Sequence, residues 1–190
     1  PSRSSQTSMN KIKSKPGLLL HYKQQPKGLR DYFSHLPRLV EGFPLDVALA
    51  YVFAQVELAQ NMALYCGVAK VHRADSDLAY RAIQRQHLKR ADFRDKYEMI
   101  YGKPIPETIT SLLITAEAVR DRVMHGKGST DDQKRNAIAH VLAYAAALNA
   151  FTASAGGPRP FGNLRGFKGA AQSLDKSTTR WILKGMGFGV

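Results

Sequence analysis

The chain has 190 residues, with 28 Lys and Arg against 15 Asp and Glu, for a formal net charge of +13. That length suits one domain with a real core, and a single cysteine, Cys66, excludes an intrachain disulfide framework and suits a reducing compartment. The charge points to acidic partners, nucleic acid first and an anionic membrane second. The excess is uneven: residues 1–42 hold 8 basic and 2 acidic side chains and residues 153–190 hold 6 and 1, whereas residues 43–152 hold 14 and 12. The charge therefore describes a nearly neutral body with two basic arms.

In chain order, residues 1–16 are polar, Ser-rich and basic and read as disordered. They open an N-terminal arm, residues 1–28, in which LLLHYK (18–23) lies between Pro16-Gly17 and Pro26-Lys27-Gly28 as a strand or a docked extension. Leu18–Leu20 is too short for the apolar centre of a signal peptide. A helical bundle is expected over 29–155. Its first helix runs from Leu29 to about Leu36 and stops at Pro37, because proline disfavours helical geometry in the residue before it.

Pro44 opens a strong helix that ends near Gly67 and is apolar nearly all round, as a helix buried on most faces must be. Gln55, Glu57, Gln60 and Asn61 interrupt it, which marks a core helix rather than a membrane span, and the chain is expected to be soluble and cytoplasmic. Cys66, within this helix, reads as a small buried hydrophobe. Asp75 or Asp77 caps a further helix reaching about Tyr101. On it Arg81, Arg85 and Lys89 form an outward stripe at four-residue spacing, either a solvated face or a track for phosphates.

The next helix begins after Pro106 and closes at Gly126, a residue able to take the left-handed conformation. Thr130-Asp131-Asp132-Gln133 fits a capping box for another helix, which frays near Gly156. Residues 156–190 form a basic, Gly-rich tail, with a short helix around Ser177–Leu183 on which Trp181 is expected to dock. No segment reads as a confident strand. The class is all-α: an antiparallel bundle of four to five main helices with basic, poorly ordered arms.

One pattern carries chemistry. Arg-(Asp/Asn)-x-x-x-His occurs three times, at Arg30-Asp31…His35, Arg120-Asp121…His125 and Arg135-Asn136…His140. Side chains five apart on a straight helix diverge by roughly 140°, which treats Arg135 and His140 as ordinary helix-surface residues. The first copy has short flanks and no following glycine. The middle copy ends at His125-Gly126, where the backbone turns away and the long arm of Arg120 can reach toward the imidazole. Asp121 and His125 share a helix face, so the carboxylate can orient the ring. Cationic side chains in a last helical turn also serve simply as caps.

This elbow between two long helices resembles the signature of HEPN domains, small helical bundles of which many are metal-independent ribonucleases. The resemblance implies Arg120 as phosphate binder, His125 as general acid/base and Asp121 as the polar orienter, where many members carry Asn. It implies a homodimer that faces two elbows across a cleft, with RNA as substrate, and loosely implies a toxin or defence factor with an antitoxin partner. Lys127 either adds a phosphate contact or is a solvated turn lysine. No cofactor is expected, and no metal, because no Cys/His cluster has zinc spacing. The alternative is a non-catalytic module whose basic arms and Arg81/Arg85/Lys89 stripe bind nucleic acid or an acidic protein. A helix-turn-helix DNA-binding regulator is a weaker reading, since the helix after the elbow is Ala-rich and apolar.

Overall fold

The computed structural model describes residues 11–86, 90–162, 164 and 172–190, and of residues 90 and 91 the backbone alone. Among the described residues it contains nine helices and no strand: α1 (Lys15–Lys23), α2 (Lys27–Tyr32), α3 (Leu36–Gly42), α4 (Leu45–Lys70), α5 (Ser76–Gln84), α6 (Arg90–Tyr101), α7 (Glu107–Met124), α8 (Asp131–Ser154) and α9 (Lys176–Gly185). The fold is all-α.

The core is built on α4 and α8. Their apolar residues occur on most sides, so each is covered by several neighbours, and α4 leaves a stripe through Val47, Ala54 and Leu58 exposed. Both are also long and apolar enough, by length and composition alone, to cross a bilayer, and here both are central members of the packed body. The two run in the same sense: Lys134 near the start of α8 pairs with Asp46 near the start of α4, and Gln60 Nε2 donates to Tyr144 Oη at 3.0 Å further along. Helix α7 returns antiparallel against α8 through the short elbow. A buried Leu, Val or Phe contributes about 1.5–3 kcal/mol, whereas an exposed pair such as Lys27–Asp31 contributes at most about 1 kcal/mol. Apolar packing therefore decides the fold.

Several boundaries differ from the sequence reading. Residues 18–23 are neither strand nor extension but lie in α1, whose N-cap Ser14 accepts from the Gly17 N–H, and Leu18 and Tyr22 face the core. The N-terminal arm is thus structured from Ile12 onward, and residues 1–10 lie outside the described residues. Pro37 does not stop a helix; it sits in the first turn of α3, where its missing N–H costs nothing, and the expected single helix becomes α2 and α3. The helix expected over 75–101 is two helices, α5 capped by Asp75 and α6. The capping box at Thr130 and Gln133 forms as expected.

The C-terminal segment is likewise anchored before its basic stretch. Asn149 grips Phe161 twice, accepting from its N–H at 2.8 Å and donating to its carbonyl at 2.9 Å. The Phe161 ring is fully buried against Tyr32, Phe33 and Tyr144. Cys66 is 1% exposed, and burial pushes its thiol up to about 12, so it acts as a small apolar filler.

Gly67, expected to end α4, instead lies inside it where α6 crosses closely. A Cβ there would meet Ile100 Cγ2 at 2.3 Å and Tyr101 Cζ at 2.8 Å. Alanine normally stabilises a helix interior by up to about 1 kcal/mol relative to glycine. Here overpacking outweighs that gain, and Gly67→Ala is expected to destabilise the protein by about 1–3 kcal/mol in denaturant unfolding; a stabilised variant would contradict the close approach.

Candidate functional site

The elbow forms as a Schellman closure. His125 is the C-cap of α7, its N–H donating to the Asp121 carbonyl at 3.0 Å. Gly126 takes φ +67, its N–H reaches the Val123 carbonyl at 3.1 Å, and the Lys127 N–H reaches the Arg122 carbonyl at 2.8 Å. A residue with a Cβ is strained at that φ, which is why glycine follows the histidine. The imidazole of His125 and the side chain of Lys127 stand in solvent at the turn.

Arg120 lies one turn back and half-buried. Its Nε is 3.2 Å from Asp121 Oδ1, without the alignment of a hydrogen bond, and its guanidinium sits 5.2 Å from the centroid of the Phe53 ring on α4. A cation held over an aromatic face and beside a carboxylate is oriented at modest energetic gain. The carboxylate of Asp121, expected to orient the imidazole, instead pairs with Arg120, while only its main-chain carbonyl meets His125. It thus positions the guanidinium. The site combines an oriented cation, a carboxylate and an exposed imidazole on one helical end.

The other sequence-derived residues are scattered. Arg81 and Arg85 are exposed on α5 and at its C-cap, with Arg81 Nε donating back to the Asp77 carbonyl at 3.3 Å. The helix ends there, so the expected continuous stripe is interrupted, and Lys89 lies outside the described residues. Among the described residues, no group of three or more His, Cys, Asp or Glu is placed to hold a metal.

The two other copies of the motif have separate fates. His35 precedes α3, exposed, with its ring 6.1 Å from that of Tyr51. The third copy is not an ordinary helix surface, which corrects the geometric expectation for Arg135 and His140. Arg135 is only 8% exposed; Nη2 donates to the Lys13 carbonyl at 3.0 Å and pairs with Asp132. Asn136 holds the chain beside it, accepting from the Ile12 N–H at 3.0 Å and donating to the Ile12 carbonyl at 3.3 Å. The N-terminal segment is therefore laid across α8, and Arg135 serves the fold.

That docking creates an open cleft of about 450 Å³ lined by Lys11, Thr130, Asp132, Gln133, Asn136 and His140. Sequence reasoning missed it. Asp132, Asn136 and His140 share one face at four-residue spacing, a visible signal, but the cleft needs the N-terminal segment as its other wall. His140 Nδ1 is enclosed without a hydrogen-bond partner, and burial lowers the imidazole below its ordinary value of 6.5.

Family models, curated proteins and solved structures give no match to this chain. The assignment of function therefore rests on the residues themselves.

The state of His140 sets a pH dependence. A folded pKa below the unfolded one means that the unfolded chain binds the proton more readily. This contribution to stability is present above the unfolded value near 6.5 and is lost as pH falls through it toward the folded value. His21, lowered by burial as well, adds in the same direction. His140→Gln is expected to reduce the fall in Tm between about pH 7.5 and about pH 5.5; a fall as steep as in the unmutated protein would show that His140 titrates as an exposed ring.

Proposed function

We propose that the protein is a metal-independent endoribonuclease of HEPN type, with the α7–α8 elbow as its site. The observation that carries this reading is the placement of an exposed imidazole at the C-cap of α7, one turn from a guanidinium already oriented by Asp121 and Phe53. RNA contains its own nucleophile beside each phosphate, so the protein needs only proton transfer and charge stabilisation.

In the proposed reaction a histidine at the elbow accepts the proton of the 2′-hydroxyl as that oxygen attacks the adjacent phosphorus. The bond from phosphorus to the 5′-oxygen breaks, and the leaving oxygen takes up a proton. The products are a 2′,3′-cyclic phosphate and a 5′-hydroxyl. Arg120 holds the equatorial phosphate oxygens, for which its planar fork is suited, and Asp121 keeps that fork in place. Lys127, exposed beside the histidine, adds charge to the phosphate path.

One histidine serves both proton transfers poorly, and a homodimer would set a second elbow opposite the first. Exposed apolar residues favour such an association: Val47 and Leu58 on α4 and Ile114 on α7 lie on the two helices that the Arg120–Phe53 contact brings together.

A second reading, a non-catalytic nucleic-acid-binding module, is favoured by the same contact. The Arg120 guanidinium is partly engaged by Asp121 and Phe53 before any phosphate arrives.

The test is incubation with RNA in the presence of a chelator, with product ends identified. Cleavage to cyclic-phosphate ends is expected, and Arg120→Ala and His125→Ala are each expected to lower its rate by about 100-fold or more with the fold intact. Full activity in both variants would refute the site. Binding without cleavage, weakening steeply with salt, would establish the second reading.

A further inference from the structure

The sequence contains one tryptophan, and Trp181, expected to dock against the body, is instead 79% exposed on α9. The helix around it is not loosely attached. At its start the Asp75 N–H donates to Thr179 Oγ1 at 2.9 Å and the Leu174 N–H to the Arg73 carbonyl at 2.7 Å. Asp175 caps it, accepting from the N–H groups of Ser177 and Thr178, and hydrogen bonds from Thr178 above all lower its carboxyl pKa from the usual value. At its end Lys96 Nζ donates to the Met186 and Gly187 carbonyls at 3.0 and 2.9 Å and lies 4.4 Å from the centre of the Phe188 ring. Thr179, Leu183 and Phe188 face the body and are buried. A helix fixed at both ends thus holds its indole in water.

The outward side is basic. Lys176, Arg180 and Lys184 recur at four-residue spacing, all exposed, and none forms an ion pair with another described residue. The helix itself contains no acidic residue. By helical spacing the cations form one flank of the exposed side and the indole the other, with Lys184 nearest the ring and Lys176 farthest from it. These are the two parts of a single-strand platform, in which cations track the phosphates while bases stack on the ring.

We propose that α9 is a binding surface for single-stranded RNA, with a base stacked on Trp181 and the backbone held by Lys176, Arg180 and Lys184. The charge pattern favours this occupant over a lipid surface. An interfacial helix buries a broad apolar face, whereas the apolar face of α9 is spent on the body and its outward side offers one large apolar residue among three cations. The surface deepens the proposed ribonuclease reading by giving it a means of holding unpaired substrate, and binding here does not require the elbow to be active.

The test uses the full chain and an oligouridylate whose 2′-hydroxyls are methylated, so that the strand lacks the nucleophile and cannot be cut. Because the tryptophan is single, its fluorescence reports the contact directly. Quenching on titration is expected in the unmutated chain. With the affinity of the variants read from the anisotropy of a dye on the oligonucleotide, Trp181→Ala is expected to weaken binding by about tenfold and Trp181→Phe to retain most of it. Replacing Lys176, Arg180 and Lys184 with Gln is expected to flatten the dependence of log affinity on log salt by about 0.7 for each phosphate left without its cation. Undiminished binding by Trp181→Ala, or quenching by anionic lipid vesicles and not by the oligonucleotide, would overturn the proposal. Cleavage of unmodified RNA is read separately, so an inactive elbow leaves this outcome untouched.

Discussion

The packing of α4 against α8 is the constraint on which the rest of the molecule depends. Both helices are apolar on most sides, so α1, α2, α3, α5, α6 and α7 are placed against one or both of them, while α9 packs on α5. Two polar pairs lie inside the core: Gln60 with Tyr144, and Tyr97 Oη with the fully buried Thr152 at 3.3 Å. A buried amide or hydroxyl without a partner costs about 1–3 kcal/mol, so these pairs also fix the sliding register of the helices. Close helix approach completes the core, with α6 seated on the backbone of α4 at Gly67.

That arrangement explains why the elbow is available for chemistry. Helix α7 is committed to α8 and α4 along its inner side, through Ile109, Leu113, Ala116 and Val119. Its last turn runs to the edge of the core, where Val123 still packs but Asp121, Arg122 and Met124 are exposed. Phe53 marks the boundary, since its ring is buried yet its face meets the Arg120 guanidinium. A rigid scaffold thus presents an arginine whose orientation is set by packing and a histidine whose ring remains unconstrained.

Local signals in the sequence are accurate where local physics decides. The capping box at Thr130, the left-handed glycine after His125 and the all-round apolar pattern of α4 are legible because each depends on a few adjacent residues. The failures occur where distant residues decide. Nothing near LLLHYK announces that Asn136 and Arg135 will hold Ile12 and Lys13, contacts that span more than a hundred residues, and so α1 and the cleft beside His140 are invisible in the sequence. Pro37 misleads because a proline can end one helix or begin another, and its first-turn role here depends on the residues C-terminal to it. Hydrophobicity alone sends Trp181 to the core, whereas Thr179 and Leu183 already fill the inner face of α9. For the elbow, the residues and the turn are legible but the partner of Asp121 is not, because Phe53 comes from another helix and draws Arg120 back over the carboxylate.

The long reach of these contacts bears on how the chain is made. Ile12 is held by Asn136 and Gln60 by Tyr144, so the first hundred residues leave the ribosome without the helix that covers them. Helices α3, α5, α6 and α7 can cover part of α4 as they emerge, but the side of α4 that meets α8 stays wet until α8 has been synthesised. A nascent chain of this design therefore carries one unpartnered apolar side of α4 through most of its synthesis, and such a side is open to association with another copy until α8 arrives.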